Sequence, residues 1–440
     1  MAFLLAFVNI VAYLAAPPAG FATVVVTMVI VGVRRGRSRL EKLLTMLVLT
    51  MPLYALPVLP GLHHVASWTT LLLVALLVMV IPHITRMSPV ILVALFIIVA
   101  FSILTGLSSG DGADGWYYIA QFLMFTVPAV IVYEARSWIR ATLDKDAANR
   151  LLSTLASTQL ALAIGVLVQW QLHSRLGISL GSISFFAERV TYDLTVSAYS
   201  VLSGLLAIGI VLAPTLWRRG RWKMAVILAV VSSFAIVVNS SRTGIIVGAV
   251  VLGLAILFPP KGARRFGARL AIVPAGILAW WMYDLYAGSV RGREGFLDDN
   301  GRFETFRNAF DRMMATDENF LLGVGYADYE GVAPHNFVVE TLVSSGVIVS
   351  AVVFALIVGL LVYLRQSEWQ YSIWALLGAS MLFAGFYAVK AAAVIAVLML
   401  ALRAADNATQ RGDVAPPAVG LANQERPEMM NGSQKTRRTA

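Results

Sequence analysis

Cysteine is absent from this chain of 440 residues, and charge is scarce, at 13% of the residues. The lack of cysteine excludes disulfide bonds, zinc–thiolate sites and iron–sulfur clusters. The low charge excludes an ordinary soluble domain, in which about 25% of the residues are charged. Apolar residues are abundant instead: 59% of the chain is hydrophobic, and the mean hydropathy is +0.78.

The apolar residues form long runs, and segments 71–81, 90–104 and 201–212 contain no charged residue. Helical runs of about 20 residues match the ~30 Å core of a bilayer. A closed β-barrel would show alternation with period two. The sequence therefore predicts an all-α polytopic membrane protein with about 12–14 transmembrane helices, and segment 1–16 is interpreted as a first span rather than a removable signal. The predicted spans are 3–16, 19–33, 41–59, 67–82, 89–106, 116–133, 151–171, 194–213, 222–238, 244–258, 268–286, 336–364, 371–387 and 389–404.

The net charge of +10 comes from basic clusters between apolar runs, such as 34–37, 218–221 and 261–269. This spacing follows the positive-inside rule, so nucleic acid is excluded as a partner. The orientation that follows puts 25 of the 34 basic residues in the cytoplasm. Its cytoplasmic parts are the loops 34–42, 83–88, 134–150, 214–223, 259–269 and 365–370, together with the C-terminal tail.

Two domains follow from this orientation. Residues 1–404 form a transmembrane domain, and segment 287–335 is its large loop outside the cytoplasm. Residues 405–440 are rich in Asn, Pro, Gly and charge, which predicts a disordered cytoplasmic tail.

The loop 287–335 is polar, with five arginines and nine acidic residues. Segment 298–301 (Asp-Asp-Asn-Gly) predicts a turn and a helix start. An apolar stripe then recurs at helical spacing, which predicts an amphipathic helix on a protein or membrane surface. Its residues are Phe303, Phe306, Phe310 and Met313. Because the acids outnumber the arginines, a solvated face accounts for most of these charges, and Arg302 at the helix start is the candidate for function.

Arg242 is an exception to the positive-inside rule. It lies in the polar kink 239–244 (Asn-Ser-Ser-Arg-Thr-Gly) between two apolar runs. An arginine at a membrane boundary is costly and usually has a partner. It either extends along the helix end to the interface or binds an anion. In the second case Thr243 and Gly244 would begin the next helix, whose first amides could add to the anion site.

Arg189 and His335 are the other candidates. Arg189 stands just before a predicted span, and either Glu188 or Asp193 could pair with it, so a structural and a functional role stay open. His335 follows Pro334 at the end of the polar loop and precedes a long apolar helix. A neutral imidazole with a pKa near ~6.5 suits a general base at this boundary. The other four histidines are interpreted as structural.

Several motifs together resemble the O-antigen ligase/polymerase superfamily. They are segments 241–244 (Ser-Arg-Thr-Gly), 300–302 (Asn-Gly-Arg), 322–325 (Leu-Gly-Val-Gly) and 334–336 (Pro-His-Asn), followed by Gly346. The motifs cover about residues 230–365. The chain departs from the family pattern at one position, where Val349 replaces a frequent glycine.

The resemblance implies a GT-C-like glycosyltransferase of the bacterial inner membrane, with its active site on a large periplasmic loop that contains short amphipathic helices. It implies transfer of a glycan from undecaprenyl diphosphate to a sugar of lipid A–core, with inversion and without a metal or cofactor. The implied roles are a catalytic His335, diphosphate contacts from Arg189, Arg242 and Arg302, and support from Asn336 and Thr243.

Two alternatives stay open. A polymerase or a protein O-oligosaccharyltransferase of the same superfamily would share these motifs. A transporter of lipid-linked sugars would show charges buried in mid-span and broken helices. The adjacent Asp298 and Asp299 are interpreted as part of the turn rather than as a metal site.

Overall fold

The computed structural model describes residues 1–58, 66–108, 113–186, 189–194, 199–239, 241–258, 280, 302–325, 336–381 and 390–412. This part contains sixteen α-helices and one β-hairpin. The bounds are α1 Ala2–Ala15, α2 Pro17–Gly32, α3 Arg39–Thr50, α4 Trp68–Val80, α5 Pro89–Ser108, α6 Ala113–Glu134, α7 Arg136–Thr142, α8 Lys145–Leu176, β1 Ser182–Phe186, β2 Arg189–Leu194, α9 Tyr199–Arg218, α10 Trp222–Val238, α11 Arg242–Leu257, α12 Arg302–Met313, α13 Asp317–Leu322, α14 Phe337–Leu364, α15 Gln370–Ser380 and α16 Lys390–Gly412.

The expectation of a helical protein with membrane-length apolar helices is confirmed. Within the described residues, α5, α6, α8, α9 and α14 contain five segments long and apolar enough to cross a membrane, and α1, α2, α4, α10 and α11 are shorter apolar helices. The bilayer-facing character is clearest in α5 and α14, whose apolar windows are only 28% and 22% buried. The predicted span 268–286 lies outside the described residues except for Trp280.

Loops that the sequence assigns to one side of the membrane do meet at one end of the fold. Arg150 at the start of α8 donates two hydrogen bonds, of 2.7 and 2.9 Å, to the buried carboxylate of Glu41 in α3. The amide of Ser88, before α5, donates to Glu134 at the end of α6 at 3.3 Å. We call the end of the fold that carries Glu41, Glu134 and Arg150 the basic end. The other end of the helices is called the opposite end.

An arginine network joins further loops at the basic end. Arg219, between α9 and α10, donates to Glu368 at 2.6 Å, to Asn149 at 2.8 Å and to both carboxylate oxygens of Asp406. Trp369 also donates to Asp406, at 2.7 Å. Burial raises the pKa of Glu368, against the opposing effect of Arg219. The four segments joined here are far apart in sequence, so the network anchors the helix ends to one another.

This network corrects the predicted boundary of the tail. The sequence predicts disorder from residue 405, but α16 continues to Gly412. Ala405 is buried, and Asp406 is held by Arg219 and Trp369. The polar composition placed the start of the disordered tail too early in the sequence. The reason is that Asp406 has hydrogen-bond partners within the fold. Residues 413–440 lie outside the described part of the chain.

A β-hairpin lies between the predicted spans 151–171 and 194–213, where no secondary structure was predicted from the sequence. Strands β1 and β2 are antiparallel, with Phe186 opposite Arg189 and Ser184 opposite Thr191. Along β2, Thr191 and Asp193 alternate with Tyr192 and Leu194, and all four residues are buried. The expected span at 194–213 begins later, because Leu194 still belongs to β2 and α9 starts at Tyr199.

Helix α14, predicted as one continuous span, is broken at Gly346. This residue has φ 68° and ψ 177°, a conformation that is almost restricted to glycine. Polar residues on both sides of the break are buried, among them Glu340, Thr341, Ser344, Ser345 and Ser350. Hydropathy could not show the break, because one glycine in a run of apolar residues leaves the average unchanged.

Helix α12 packs through only part of the predicted apolar stripe, namely Phe306 and Met313. Ala309 and Met313 are buried against Val339 and Val343 of α14, with Phe306 beside them. Phe303 is 74% exposed and Phe310 is 36% exposed. The helix is therefore amphipathic, as predicted, but its buried face is centred on Ala309 and Met313.

Candidate functional site

The kink 239–244 and the hairpin are joined by one buried amide. Asn239, which is fully buried, accepts a hydrogen bond from the amide of Tyr192 at 2.8 Å and donates to the carbonyl of Tyr192 at 3.1 Å. The side chain thus pairs with β2 as a neighbouring strand would. It lies three residues before Arg242, and Tyr192 lies three residues after Arg189. The two segments that carry these candidate arginines are therefore neighbours.

A second buried amide holds the hairpin from the other side. Gln169 of α8 donates to the carbonyl of Leu180 at 2.5 Å and accepts from the amide of Leu194 at 3.2 Å. Tyr192 packs on His173 with ring centroids 6.0 Å apart. Burial raises the pKa of Tyr192, so its hydroxyl stays neutral. The hairpin is thus a fixed element, which suits a part that positions functional groups.

Arg189 and Arg242 each begin an element. Arg189 is the first residue of β2, and Arg242 is the first residue of α11. Ser241 caps α11, because its hydroxyl oxygen accepts from the amide of Gly244 at 3.4 Å. Thr243 is 6% exposed. The amide of Gly244, which was expected to help bind an anion, therefore already donates to Ser241. Thr243 is part of the buried interior. The side chains of both arginines lie outside the described residues.

Asn336 has a defined structural position at the head of α14. Its side-chain oxygen accepts from the amides of Val338 at 2.9 Å and Val339 at 3.2 Å, which makes it the N-cap of the helix. Its amide nitrogen donates to the carbonyl of Met381 at 3.4 Å, just after α15. His335 itself lies outside the described residues, but its neighbour is held between two helices.

Helix α15 links the head of α14 to the start of α11. A Cβ atom at Gly378 would be 3.5 Å from Val247 of α11. The two helices are antiparallel, since Tyr371 near the start of α15 donates to the carbonyl of Phe258 at the end of α11. At ~1.5 Å per residue, Met381 and Arg242 lie about 4.5 Å and about 7.5 Å beyond the Gly378 contact, toward the opposite end. Asn336 and Arg242 are therefore at similar depth on two sides of α15.

Helices α12 and α13 dock on α14 at its break. Gly323, with φ 89°, faces Gly346: a Cβ atom on Gly323 would be 2.6 Å from the backbone nitrogen of Gly346. The amide of Val324 donates to the carbonyl of Val343 at 2.8 Å. Thr105 of α5 donates to the carbonyl of Leu322 at 2.5 Å. Two of the motifs from the sequence, 322–325 and Gly346, thus meet backbone to backbone.

Arg302 is placed differently from the other two candidate arginines. It begins α12, whose buried face rests on α14 rather than on the hairpin. Its side chain lies outside the described residues. It therefore belongs to the docked segment 302–325, while Arg189 and Arg242 belong to the hairpin and its neighbouring kink.

An apolar cavity of about 580 Å³ that is open at the surface of the fold lies between α5, α6, α14 and α16. Val90, Ala94 and Leu356 are typical of its lining. Phe125, also in the lining, meets Phe337 edge to face with ring centroids 6.4 Å apart. Since Phe337 follows Asn336 directly, this ring contact links the head of α14 to the edge of the cavity, whose lining on α14 begins at Ala351.

Several buried polar residues contribute to this end and were missed by sequence reasoning. They are Asn239, Gln169, Glu340 and Lys390. Lys390 is 2% exposed and donates to Ser67 at 3.1 Å and to the carbonyl of Tyr54 at 3.3 Å. The sequence does carry a signal for such residues, namely a single amide or charged side chain inside an apolar run. A polar side chain in that position needs a hydrogen-bond partner when it is buried. Lys390 ties α16 to the loop after α3 and has a structural role.

Comparison with known protein families finds no family that matches this chain. Comparison with curated protein sequences likewise finds no match. The resemblance described above thus rests on the sequence motifs alone.

Replacing Asn239 with leucine should destabilise the protein by about 3 kcal/mol. The change leaves the amide and the carbonyl of buried Tyr192 without partners, at ~1–3 kcal/mol each. The midpoint of thermal unfolding in detergent is the measurement. Asn319→Leu, which removes an exposed hydrogen bond to the carbonyl of Arg312, is the control and should shift it little. Equal shifts for the two variants would show that Asn239 does not hold the hairpin.

Proposed function

We propose that this protein is a membrane glycosyltransferase that transfers an O-antigen glycan from undecaprenyl diphosphate to a sugar of lipid A–core. The observation that carries the proposal is that motif segments far apart in sequence are neighbours at the opposite end. Asn239 joins the Arg189 strand to the Arg242 kink, α15 joins that kink to Asn336, and Gly323 meets Gly346.

The charge pattern supports an anionic donor. A diphosphate is already a good leaving group, and it needs neutralisation of charge more than it needs a proton. Arginine supplies a permanent charge and a planar set of donors that fits phosphate oxygens. Arg189 and Arg242 begin neighbouring elements, and Arg302 would approach from the docked segment 302–325. Thr243 is buried at the start of α11 and supports this helix end.

The chemistry needs one base. In the proposed reaction the acceptor hydroxyl attacks the anomeric carbon, the bond from that carbon to the diphosphate oxygen breaks, and the anomeric configuration inverts. His335 takes the proton of the hydroxyl, and undecaprenyl diphosphate leaves as the anion. No metal or cofactor takes part. Asn336 acts as a positioning residue, since it fixes the backbone that follows His335.

The apolar cavity supports a lipid-linked substrate. A polyprenyl chain needs an apolar path inside the bilayer, and the cavity between α5, α6, α14 and α16 provides about 580 Å³ of such space. It lies on the same helix as Asn336. In the proposed orientation the basic end faces the cytoplasm of a bacterial inner membrane, and the site with loop 287–335 faces the periplasm.

Arg242→Gln should reduce glycan transfer by about a hundredfold, because a charge-assisted pair of about 3 kcal/mol with the diphosphate is lost. Arg242→Lys should recover only part of the rate, since a single ammonium group does not replace the guanidinium fork. The measurement is transfer by purified protein from undecaprenyl-diphosphate-linked glycan to lipid A–core. Arg307→Gln is the matched control, because Arg307 is 84% exposed on α12. Full activity of Arg242→Gln would contradict the diphosphate role.

Deletion of the gene separates the transferases of this superfamily. A ligase deletion removes long glycan from lipopolysaccharide and leaves lipid-linked polymer to accumulate. A polymerase deletion leaves one repeat unit on the core. A protein O-oligosaccharyltransferase deletion leaves lipopolysaccharide unchanged and removes glycan from proteins.

A transporter of lipid-linked sugar is the second candidate, and the break in α14 favours it. Broken helices with buried polar residues are typical of transporters, and Glu340 and Ser344 are buried near Gly346. The docking of Gly323 on Gly346 gives the break a packing role instead. Movement of labelled donor across liposomes without any acceptor would favour the transporter. Transfer to added acceptor without such movement would favour the glycosyltransferase.

A further inference from the structure

A second cavity opens at the basic end, between the start of α8 and the turn from α9 to α10. Its volume is about 490 Å³, and it is lined by residues 220–224 together with Ser153 and Ser157. Two of these residues, Arg221 and Lys223, are cations. The cavity is separate from the candidate site, which lies at the opposite end of the same helices.

The cations of this cavity differ from their neighbours in pairing. Arg218 and Arg219, one turn earlier, form ion pairs with Glu368, and Arg219 also pairs with Asp406. Among the described residues, no carboxylate lies within ion-pair distance of Arg221 or Lys223. The positive charge at this cavity is therefore available to an external anion.

The backbone adds donors to the same space. Helix α10 begins at Trp222, and its N-cap residue Arg221 makes no side-chain capping bond. The amides of the first turn of a helix have no acceptor within the helix. Trp222, Lys223 and Met224 carry these amides, and all three line the cavity. A helix start of this kind favours a phosphate group.

The opposite wall supplies hydroxyl groups one helical turn apart. Ser153 donates its hydroxyl hydrogen to the carbonyl of Asn149 at 2.6 Å. Ser157 also lines the cavity. An anion in this cavity would thus meet two cations, backbone amides and a hydroxyl donor.

The position of the cavity indicates the source of the anion. Trp217 is 59% exposed and Trp222 is 53% exposed, on the two sides of the turn. Exposed tryptophans at the ends of apolar helices mark the headgroup layer of a membrane. Basic pockets between membrane helices on the cytoplasmic side typically bind anionic headgroups.

We propose that this cavity binds the phosphate of an anionic phospholipid, with Arg221 and Lys223 as its charged ligands and the first amides of α10 as its backbone donors. The glycerol backbone lies near Trp222, and the acyl chains follow the apolar surface of α10. The proposal is independent of the proposed glycan transfer, because it uses none of those residues.

Thermal unfolding of the full chain in neutral detergent tests the site. Phosphatidylglycerol, phosphatidylcholine and inorganic phosphate are titrated separately. Phosphatidylglycerol should raise the unfolding midpoint in a saturable way, because a ligand that binds the folded state stabilises it. Phosphatidylcholine and inorganic phosphate should have little effect. Equal stabilisation by phosphatidylcholine, or by inorganic phosphate, would overturn the assignment to an anionic lipid.

Two variants complete the test. Arg221→Gln combined with Lys223→Gln should weaken the apparent affinity for phosphatidylglycerol at least tenfold. Arg35→Gln combined with Arg39→Gln removes the same charge from exposed positions at the same end, outside the cavity, and should keep it. If the first double variant fails to fold, Lys223→Gln alone, at an exposed position, should weaken binding severalfold. Equal affinities for the cavity variants and the control would overturn the proposal.

Discussion

Replacing His335 with alanine is expected to reduce glycan transfer by about a hundredfold to ten-thousandfold, the usual contribution of a general base. The protein should remain folded, because the N-cap of α14 is Asn336 and not His335. Transfer by purified protein in proteoliposomes is the direct measurement. In cells, the variant should fail to restore long glycan to the lipopolysaccharide of a deletion strain.

Two further measurements separate a catalytic from a structural role for His335. A base acts as neutral imidazole, so the rate of the unmodified protein should fall about tenfold per pH unit once the pH is below the pKa of the base. The residual rate of the alanine variant should lack this dependence. His83→Ala is the control, because His83 stacks on Trp138 at the basic end, with ring centroids 4.1 Å apart. Full transfer by the His335 variant would exclude it as the base.

Replacing Gly346 with alanine is expected to have the largest effect on structure. The backbone at Gly346 has φ 68°, and a Cβ atom there would lie 2.3 Å from the carbonyl oxygen of Leu321. The conformation alone costs about 1–3 kcal/mol for another residue. The clash adds to this cost because backbone cannot move aside as a flexible side chain can. We expect α13 to detach from α14, with loss of transfer.

Gly359 provides a matched control in the same helix. A Cβ atom at Gly359 meets nothing within 4 Å. Gly359→Ala should therefore leave segment 302–325 docked and stabilise the helix by up to ~1 kcal/mol, the difference in helix propensity. Limited proteolysis of segment 302–325 and the thermal midpoint are the measurements. Similar behaviour of the two variants would mean that the contact between Gly323 and Gly346 does not hold the segment in place.

The sequence predicted the helical architecture well because hydropathy acts residue by residue. Helix α10 has the predicted bounds, and α5 and α14 begin within one residue of prediction. The grouping of basic loops at one end also followed from counting charges, and the bonds from Arg150 and Arg219 agree with it. Three things stay predictions: the side of the membrane that the site faces, the substrate, and the roles of the candidate residues Arg189, Arg242, Arg302 and His335.

The hairpin, the break in α14 and the continuation of α16 past Ala405 were not predictable in this way. Each depends on a partner distant in sequence. The strand pairing at Tyr192 is completed by Asn239, the conformation of Gly346 is matched to Gly323, and Asp406 is held by Arg219. A local pattern carries no information about which distant residue will be the partner.

The sequence by itself thus determined that the protein is helical and membrane-spanning, where its charges gather and which residues are candidates. Local hydrophobicity and charge decide these features, since each segment partitions into the bilayer largely by its own composition. Only the tertiary structure decided that the Arg189 and Arg242 segments are neighbours, that Asn336 lies at similar depth beside them and that segment 302–325 docks on α14. Those relations depend on buried hydrogen bonds and on close contact between glycines, which form only when distant segments meet.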